Sequence, residues 1–203
     1  SITQFISTVV LLRAGVGGVT RAALYKPLAD NDTEEISSII RATEIFMKKV
    51  SLLFAIALIA FACIYPFMVI DEFDWFFSFS LVLILGISTF AQNYFGITYQ
   101  MLIQADQRQY IYSLITIITT VLNTLIAAIL IKFGASIHIV KLASSIVFAL
   151  NPIFFNIYVR RRYKINKSAK PNYDAISQRW DAFAQQAAAF VNNNTDIIIL
   201  TMF

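Results

Sequence analysis

Residues 50–70 read VSLLFAIALIAFACIYPFMVI, and no side chain in this stretch is charged. An α-helix rises about 1.5 Å per residue, so the stretch is long enough to cross a hydrocarbon core of roughly 30 Å. Residues 75–105, 109–131 and 142–159 are apolar in the same way. Apolar residues make up 58% of the chain and charged residues 14%, whereas soluble domains are about a quarter charged. The sequence therefore predicts an all-α, multi-pass membrane protein.

Amide and charged side chains interrupt these apolar runs. They are Arg13, Gln92, Gln100, Asn123, Asn151, Asn192 and Asp196. An ionised residue at the centre of a spanning helix costs about 2.5–3.5 kcal/mol on insertion scales, against a gain of roughly 0.3–0.6 kcal/mol per leucine or isoleucine. Such residues persist where they face a bundle interior or an aqueous cavity. Their presence predicts a transport pathway.

Charge and residue usage argue against several other classes of protein. The net charge of +4 is concentrated at residues 160–170, directly after an apolar run, which is typical of cytoplasmic membrane anchoring rather than nucleic-acid binding. Cys63 and His138 are each the only residue of their type, which removes disulfide frameworks and most zinc and triad chemistry. We therefore expect no enzyme activity, no metal, no cofactor and no nucleic-acid partner.

The apolar pattern and its polar boundaries predict the helices. They run over about 2–28, 50–70, 76–104, 110–132 and 137–160, with a surface helix at 33–49 that Asp32 caps. An amphipathic segment from 171 leads into a last span that is cut off at 203. With successive spans crossing in opposite directions, most cationic residues fall on one side of the membrane and the acidic turn 71–74 falls on the other. The cationic side is therefore predicted to be cytoplasmic. The chain lacks an initiator methionine and opens and closes in apolar segments, which predicts an internal fragment.

Polar residues align on three of the predicted helices. Gln92, Gly96 and Gln100 repeat every fourth residue, Thr116, Thr120 and Asn123 follow on the next helix, and Gln185, Asn192 and Asp196 share a face on the last. An alternative is that these amides only hold spanning helices together, each hydrogen bond between helices contributing about 0.6 kcal/mol of stability. Three aligned stripes favour a hydrated cavity instead, with Gln92, Gln100, Asn123, Gln185 and Asn192 as candidate substrate contacts.

Two charged residues within the spans have sharper predicted roles. Arg13 lies about halfway along the first helix beside glycines, where a guanidinium can hold a phosphate or pyrophosphate through two hydrogen bonds. Asp196 is a candidate for ion coupling, because a buried carboxylate can titrate or bind a cation. The alternative for Asp196 is a simple pairing with an arginine, and the sequence leaves both open.

Three passages resemble a known transporter group. They are residues 17–25 (GGVTRAALY), 99–110 (YQMLIQADQRQY) and 193–201 (NNTDIIILT). Together they are similar to the O-antigen and capsule-type lipid-linked oligosaccharide flippases of the multidrug/oligosaccharidyl-lipid/polysaccharide superfamily. The likeness extends over nearly the whole chain, but its patterns are loose.

The resemblance implies a fold of two six-helix lobes, with twelve to fourteen helices and a central cavity, in the bacterial cytoplasmic membrane. Residues 1–170 would form most of the first lobe, and 171–203 the lead-in and first helix of the second. The implied function is to flip undecaprenyl-diphosphate-linked oligosaccharide by alternating access, with membrane lipids and H⁺ or Na⁺ as further partners. Arg13 matches the cationic cavity of the family. The alternative is a multidrug or cation antiporter of the same superfamily, which Asp196 favours.

Overall fold

The computed structural model describes the backbone of residues 2–68, 75–166, 168–182, 184, 185 and 188, with side chains from residue 15 onward except at 68 and 88. Regular structure in these residues is helical throughout, as predicted. The α-helices are α1 (Ile2–Ala29), α2 (Thr33–Met68), α3 (Trp75–Ala91), α4 (Ile97–Ala105), α5 (Gln109–Lys132), α6 (Ile137–Ala149) and α7 (Asn151–Arg162). A π-helical turn, Gln92–Gly96, joins α3 to α4, and a 3₁₀ turn covers Asp174–Ile176.

Four helical stretches in the described residues are long and apolar enough to cross a membrane. They are Thr33–Phe67, Trp75–Ala105, Gln109–Lys132 and Ile137–Arg162. This confirms a helical protein with four candidate membrane-spanning stretches among the described residues. The acidic turn at 71–74 and the predicted last span lie outside the described residues, so the predicted orientation and the full number of crossings stay predictions.

The chain divides into two compact units, Ser1–Thr43 with Asn166–Phe203, and Glu44–Ile165. The first unit contains α1, the start of α2 and the segment after α7; the second contains the rest of α2 and all of α3 to α7. The lobe boundary predicted near residue 170 concerns a longer protein and stays a prediction.

Helix α2 begins as predicted, and the surface helix continues directly into the first long apolar span, as the sequence also predicted. The Asp32 carboxylate accepts hydrogen bonds from the backbone N–H groups of Glu34, at 3.1 Å, and Glu35, at 3.0 Å, which makes it the N-cap. The surface helix predicted at 33–49 and the span predicted at 50–70 are one helix of 36 residues. The cations Lys48 and Lys49 do not end it, because lysine is a good helix former and no glycine or proline follows them.

In the first unit, the segment after α7 folds back onto the start of α2. The Asn172 amide donates to the Glu35 carboxylate at 2.9 Å, and its backbone N–H donates to the Ser38 carbonyl at 3.2 Å. The backbone N–H of Asn166 donates to the Ser37 hydroxyl at 3.0 Å. The Asn172 oxygen in turn accepts the N–H groups of residues 174 and 175. These contacts fix the segment that leads toward the predicted second lobe.

In the second unit, α3 packs closely against both α2 and α6. A Cβ atom added at Gly86 of α3 would lie 2.0 Å from a Leu58 methyl carbon, so a larger residue here would force the Leu58 side chain of α2 to move. On the other side, the Ser145 hydroxyl of α6 donates to the Ile84 carbonyl of α3 at 2.6 Å. Small and hydroxyl-bearing residues at such contacts are typical of helix packing in membranes, where close approach replaces the hydrophobic effect.

Candidate functional site

Helix α3 does not continue smoothly into α4. Residues 92–96 form a π turn, in which hydrogen bonds run from i to i+5 and one residue more than usual is accommodated. Asn93, in this turn, is 4% exposed, and almost all of α4 after it is buried. Turns of this kind are frequent at functional sites.

The span formed by α6 and α7 is also interrupted. Leu150 lies between the two helices, and α7 starts with Asn151 and Pro152. Proline has no amide hydrogen, so residue 152 cannot donate to the Phe148 carbonyl one turn earlier. Asn151 is 7% exposed. The predicted span over 137–160 agrees with the candidate span Ile137–Arg162, and the Asn-Pro pair marks the point at which α6 and α7 meet within it.

The two interruptions are in contact. A Cβ atom added at Gly96 would lie 3.1 Å from the Cβ and Cγ atoms of Pro152 and 3.2 Å from its Cα atom. The absence of a side chain at Gly96 therefore allows the π turn to approach the start of α7. We call residues 92–96 together with 150–152 the break layer.

Four carboxamide oxygens of the second unit, two of them in the break layer, are buried without a hydrogen-bond partner among the described residues. They are the Oδ1 atoms of Asn93, Asn123, Asn151 and Asn156. Each such oxygen costs about 1–3 kcal/mol, and the four together about 4–12 kcal/mol. That sum rivals the whole folding free energy of a typical domain, about 5–15 kcal/mol. Water, a ligand or a further polar segment must therefore offset this cost in the membrane.

A cation lies beside the π turn. The Lys48 ammonium of α2 pairs with the Glu44 carboxylate at 3.0 Å and lies over the Tyr94 ring, 5.6 Å from its centroid. Both charged side chains are partly buried. In the sequence, Lys48 served only to predict the orientation of the chain. Its contact with Tyr94 could not be predicted, because it depends on how α2 packs against the π turn.

Three of the predicted site residues lie in the second unit. Gln92 begins the π turn and is partly buried, Gln100 in α4 is 9% exposed, and Asn123 is partly buried near the middle of α5. Gln92 and Gln100 lie eight residues apart, on the two sides of Gly96 in the same span. Asn151, which the sequence placed among the polar residues of the predicted pathway but not among the substrate contacts, and Asn93 are both more deeply buried than Gln92.

The other predicted site residues are outside this region or outside the described residues. Arg13 lies in α1, and its side chain is among those not described. Gln185 is helical and exposed, in the first unit. Asn192 and Asp196 lie outside the described residues. Their predicted roles stay predictions.

Three threonines of α5, Thr116, Thr119 and Thr124, donate their hydroxyl protons to carbonyl groups of the same helix. The Thr116 hydroxyl donates to the Tyr112 carbonyl at 2.9 Å, and Thr124 donates to the Thr120 carbonyl at 3.0 Å. This is the ordinary way for a spanning helix to satisfy a hydroxyl. Of the polar stripe predicted on α5, only Asn123 has a buried polar atom left without a partner in the described residues.

A charged cluster connects the α4–α5 turn to the end of α7. One Asp106 carboxylate oxygen accepts hydrogen bonds from the Arg108 guanidinium at 2.7 Å and from the Tyr163 hydroxyl at 2.5 Å. Burial and this hydrogen bond raise the pKa of Tyr163 above its ordinary value. The hydrogen bond to Asp106 likewise raises the pKa of Arg108. Both groups therefore keep their protons throughout the neutral range.

Within the described residues, no group of three or more histidine, cysteine, aspartate or glutamate side chains is placed to hold a metal ion. The polar side chains of the break layer are neutral carboxamides, which form hydrogen bonds with hydroxyl groups, amides and water. Comparison with protein-family models, with curated proteins and with solved structures finds no match to this chain.

Proposed function

We propose that this chain is part of a transporter that carries a lipid-linked oligosaccharide across the bacterial cytoplasmic membrane by alternating access. The observation that carries the proposal is the set of buried Asn oxygens without partners inside apolar spans. In a purely structural bundle an unpartnered amide oxygen is a cost, because it lowers stability unless another group binds it.

The chemistry of these oxygens favours a polar, hydroxyl-rich cargo. A carboxamide oxygen accepts hydrogen bonds, and sugar hydroxyls donate them. Neutral acceptors bind such a head group without the cost of burying a fixed charge. The polyprenyl tail would stay in the bilayer while the glycan crosses, so the protein has to solvate only the polar part.

The diphosphate of such a carrier needs a cation. Arg13 is the residue that the sequence offers, because a guanidinium binds two phosphate oxygens at once. Lys48 is a second cation, in the other unit, and its ammonium is already shared between Glu44 and Tyr94. For the coupling ion of the proposed cycle, H⁺ or Na⁺, the sequence offers Asp196 as the candidate.

The experiment uses the full-length gene in a host from which it has been deleted. The measurement is the leaflet on which lipid-linked oligosaccharide accumulates, with wild type, Arg13→Ala and Lys26→Ala compared. Lys26 is exposed in the last turn of the same helix and serves as the matched control. We expect the deletion and Arg13→Ala to leave the glycan on the cytoplasmic leaflet, while wild type and Lys26→Ala release it.

Two results would contradict the proposal in different ways. If the deletion leaves the surface glycan unchanged but raises sensitivity to cationic drugs, the protein is an antiporter, and Asp196 becomes the first residue to replace. If the glycan is trapped by the deletion but released by Arg13→Ala, transport stands and the role of Arg13 is wrong.

A further inference from the structure

Two neighbouring spans are interrupted at the same depth, in different ways. The first is interrupted by the π turn between α3 and α4, and the second by Leu150 and Pro152 between α6 and α7. Gly96 and Pro152 bring the two interruptions into contact. Each span therefore consists of two half-helices, α3 and α4 in one, α6 and α7 in the other.

The half-helices before the interruptions are fastened to each other. The His138 imidazole of α6 is hydrogen-bonded to the Ser80 hydroxyl of α3 at 2.8 Å, and its ring lies edge-on to Phe77 with centroids 4.4 Å apart. The bond from Ser145 to the Ile84 carbonyl adds a second connection. Polar contacts of this kind, together with close packing, hold α3 and α6 as one body.

The half-helices after the interruptions are fastened to each other as well. Tyr163, directly after α7, and Arg108, directly before α5, both donate to the same Asp106 oxygen at the end of α4. The rings of Tyr112 in α5 and Phe155 in α7 are stacked with centroids 5.7 Å apart. The Arg108 bond stays within the α4–α5 turn, whereas the Tyr163 bond connects α7 to the end of α4. Hydrogen bonds to an ionised acceptor are about twice as strong as neutral ones, so this bond and the Tyr112–Phe155 stack hold α7 to the α4–α5 segment as a second body.

At the boundary between the two bodies, several backbone and side-chain groups of the described residues form no hydrogen bond that would fix the angle between the half-helices. The carboxamide oxygens of Asn93 and Asn151 have no partner among the described residues. Pro152 offers no amide hydrogen to the turn before it. Bends in helices occur at π turns and at prolines because few intrahelical hydrogen bonds have to break there.

We propose that the break layer is a hinge, at which α4 and α7 move together relative to α3 and α6. The unpartnered Asn oxygens accept hydrogen bonds from whatever polar group or water enters as the angle changes. Only the role of the hinge rests on the proposed transport function, in which its motion would supply the conformational step. The motion itself is measurable without any transport assay.

The test measures distances between paired spin labels on the full-length protein in lipid nanodiscs, with Cys63 replaced by serine. The pair across the hinge is Ile139→Cys with Ile157→Cys, one on α6 and one on α7, and both positions are exposed. The pair within the first body is Phe76→Cys with Ile146→Cys. The pair within the second body is Gln107→Cys with Ile153→Cys. All of these positions are exposed.

We expect the distance distribution across the hinge to be at least twice as wide as either distribution within a body, or to shift when undecaprenyl diphosphate is added. Pro152→Ala restores an amide donor to the helix, so it should narrow the distribution across the hinge toward the widths within a body. Pro66→Ala is the matched control, because Pro66 lies inside the unbroken helix α2 and should leave all three distributions unchanged.

The wild-type protein alone can reject the hinge. It does so if the distance distribution across the hinge is as narrow as those within the bodies, both with and without the diphosphate lipid. A change of equal size in a pair within one body would overturn it too, because the bodies would not be rigid. A moving hinge in a protein that fails to move glycan would leave the hinge standing and reject the proposed function.

Discussion

Replacing Asn151 by leucine should make the protein more stable and less active. Leucine branches at Cγ as asparagine does, so it fills nearly the same space without a polar atom. The change removes the cost of an unsatisfied oxygen, about 1–3 kcal/mol, at the expense of any bonds of the amide nitrogen, about 0.5–1.5 kcal/mol. The net gain is about 1 kcal/mol, which for a large helical protein raises the Tm by on the order of 2–4 °C.

The assay is thermal unfolding of the purified full-length protein in detergent, alongside glycan release in the deletion host. Asn172→Leu is the matched control, because the Asn172 amide is bonded to Glu35 and to the turn at residues 174 and 175. The control should lower the Tm, since it breaks satisfied bonds. An Asn151→Leu protein with a lower Tm and full transport would refute the reasoning, because its oxygen would then be a satisfied structural group.

Three further changes probe the fold around the site. Asp32→Ala removes the N-cap of α2 and should cost about 0.5–2 kcal/mol, measured as a lower Tm, whereas Asp32→Asn should retain most of the stability; equal loss in both variants would contradict the capping role. The raised pKa of Tyr163 means that the unfolded chain loses this proton near the ordinary value of 10.0 while the folded protein keeps it, so stability is complete below that pH and falls above it. Tyr163→Phe should therefore show a smaller fall in Tm between pH 9 and 11 than wild type, and identical slopes would count against the buried hydroxyl. Gly86→Ala should cost about 1–3 kcal/mol by overpacking against Leu58, and Leu58→Ala in the same chain should recover part of that loss; simple additivity of the two changes would show that the contact is not close.

The helices follow from the sequence because their signals are local. The cap at Asp32 lies directly before a long helical pattern, and α5 runs over Gln109–Lys132, close to the predicted 110–132. Periodicity and end signals need no information from the rest of the chain.

The break layer did not follow from the sequence, because it depends on contacts between helices. Residues 92–96 contain nothing that rules out an ordinary α-helix, and the π turn is known only from the fold. Asn151 and Pro152 announce a break, but the approach of Gly96 to Pro152 requires two spans to be packed side by side. The sequence did favour Asn123, whose buried oxygen has no partner in the described residues, but it also favoured Gln92 and Gln100 and did not single out Asn93 or Asn156 as substrate contacts.

The central claim is that this protein moves a glycan head group across a bilayer, and reconstitution tests it most directly. Purified full-length protein would be placed in liposomes that contain a labelled undecaprenyl-diphosphate oligosaccharide, and the fraction of label open to an added glycosidase would be followed over time. We predict that wild type exposes label from the inner leaflet well above the rate in protein-free liposomes, and that Asn93→Leu with Asn151→Leu reduces the rate at least tenfold. A wild-type rate equal to that of protein-free liposomes would contradict the claim.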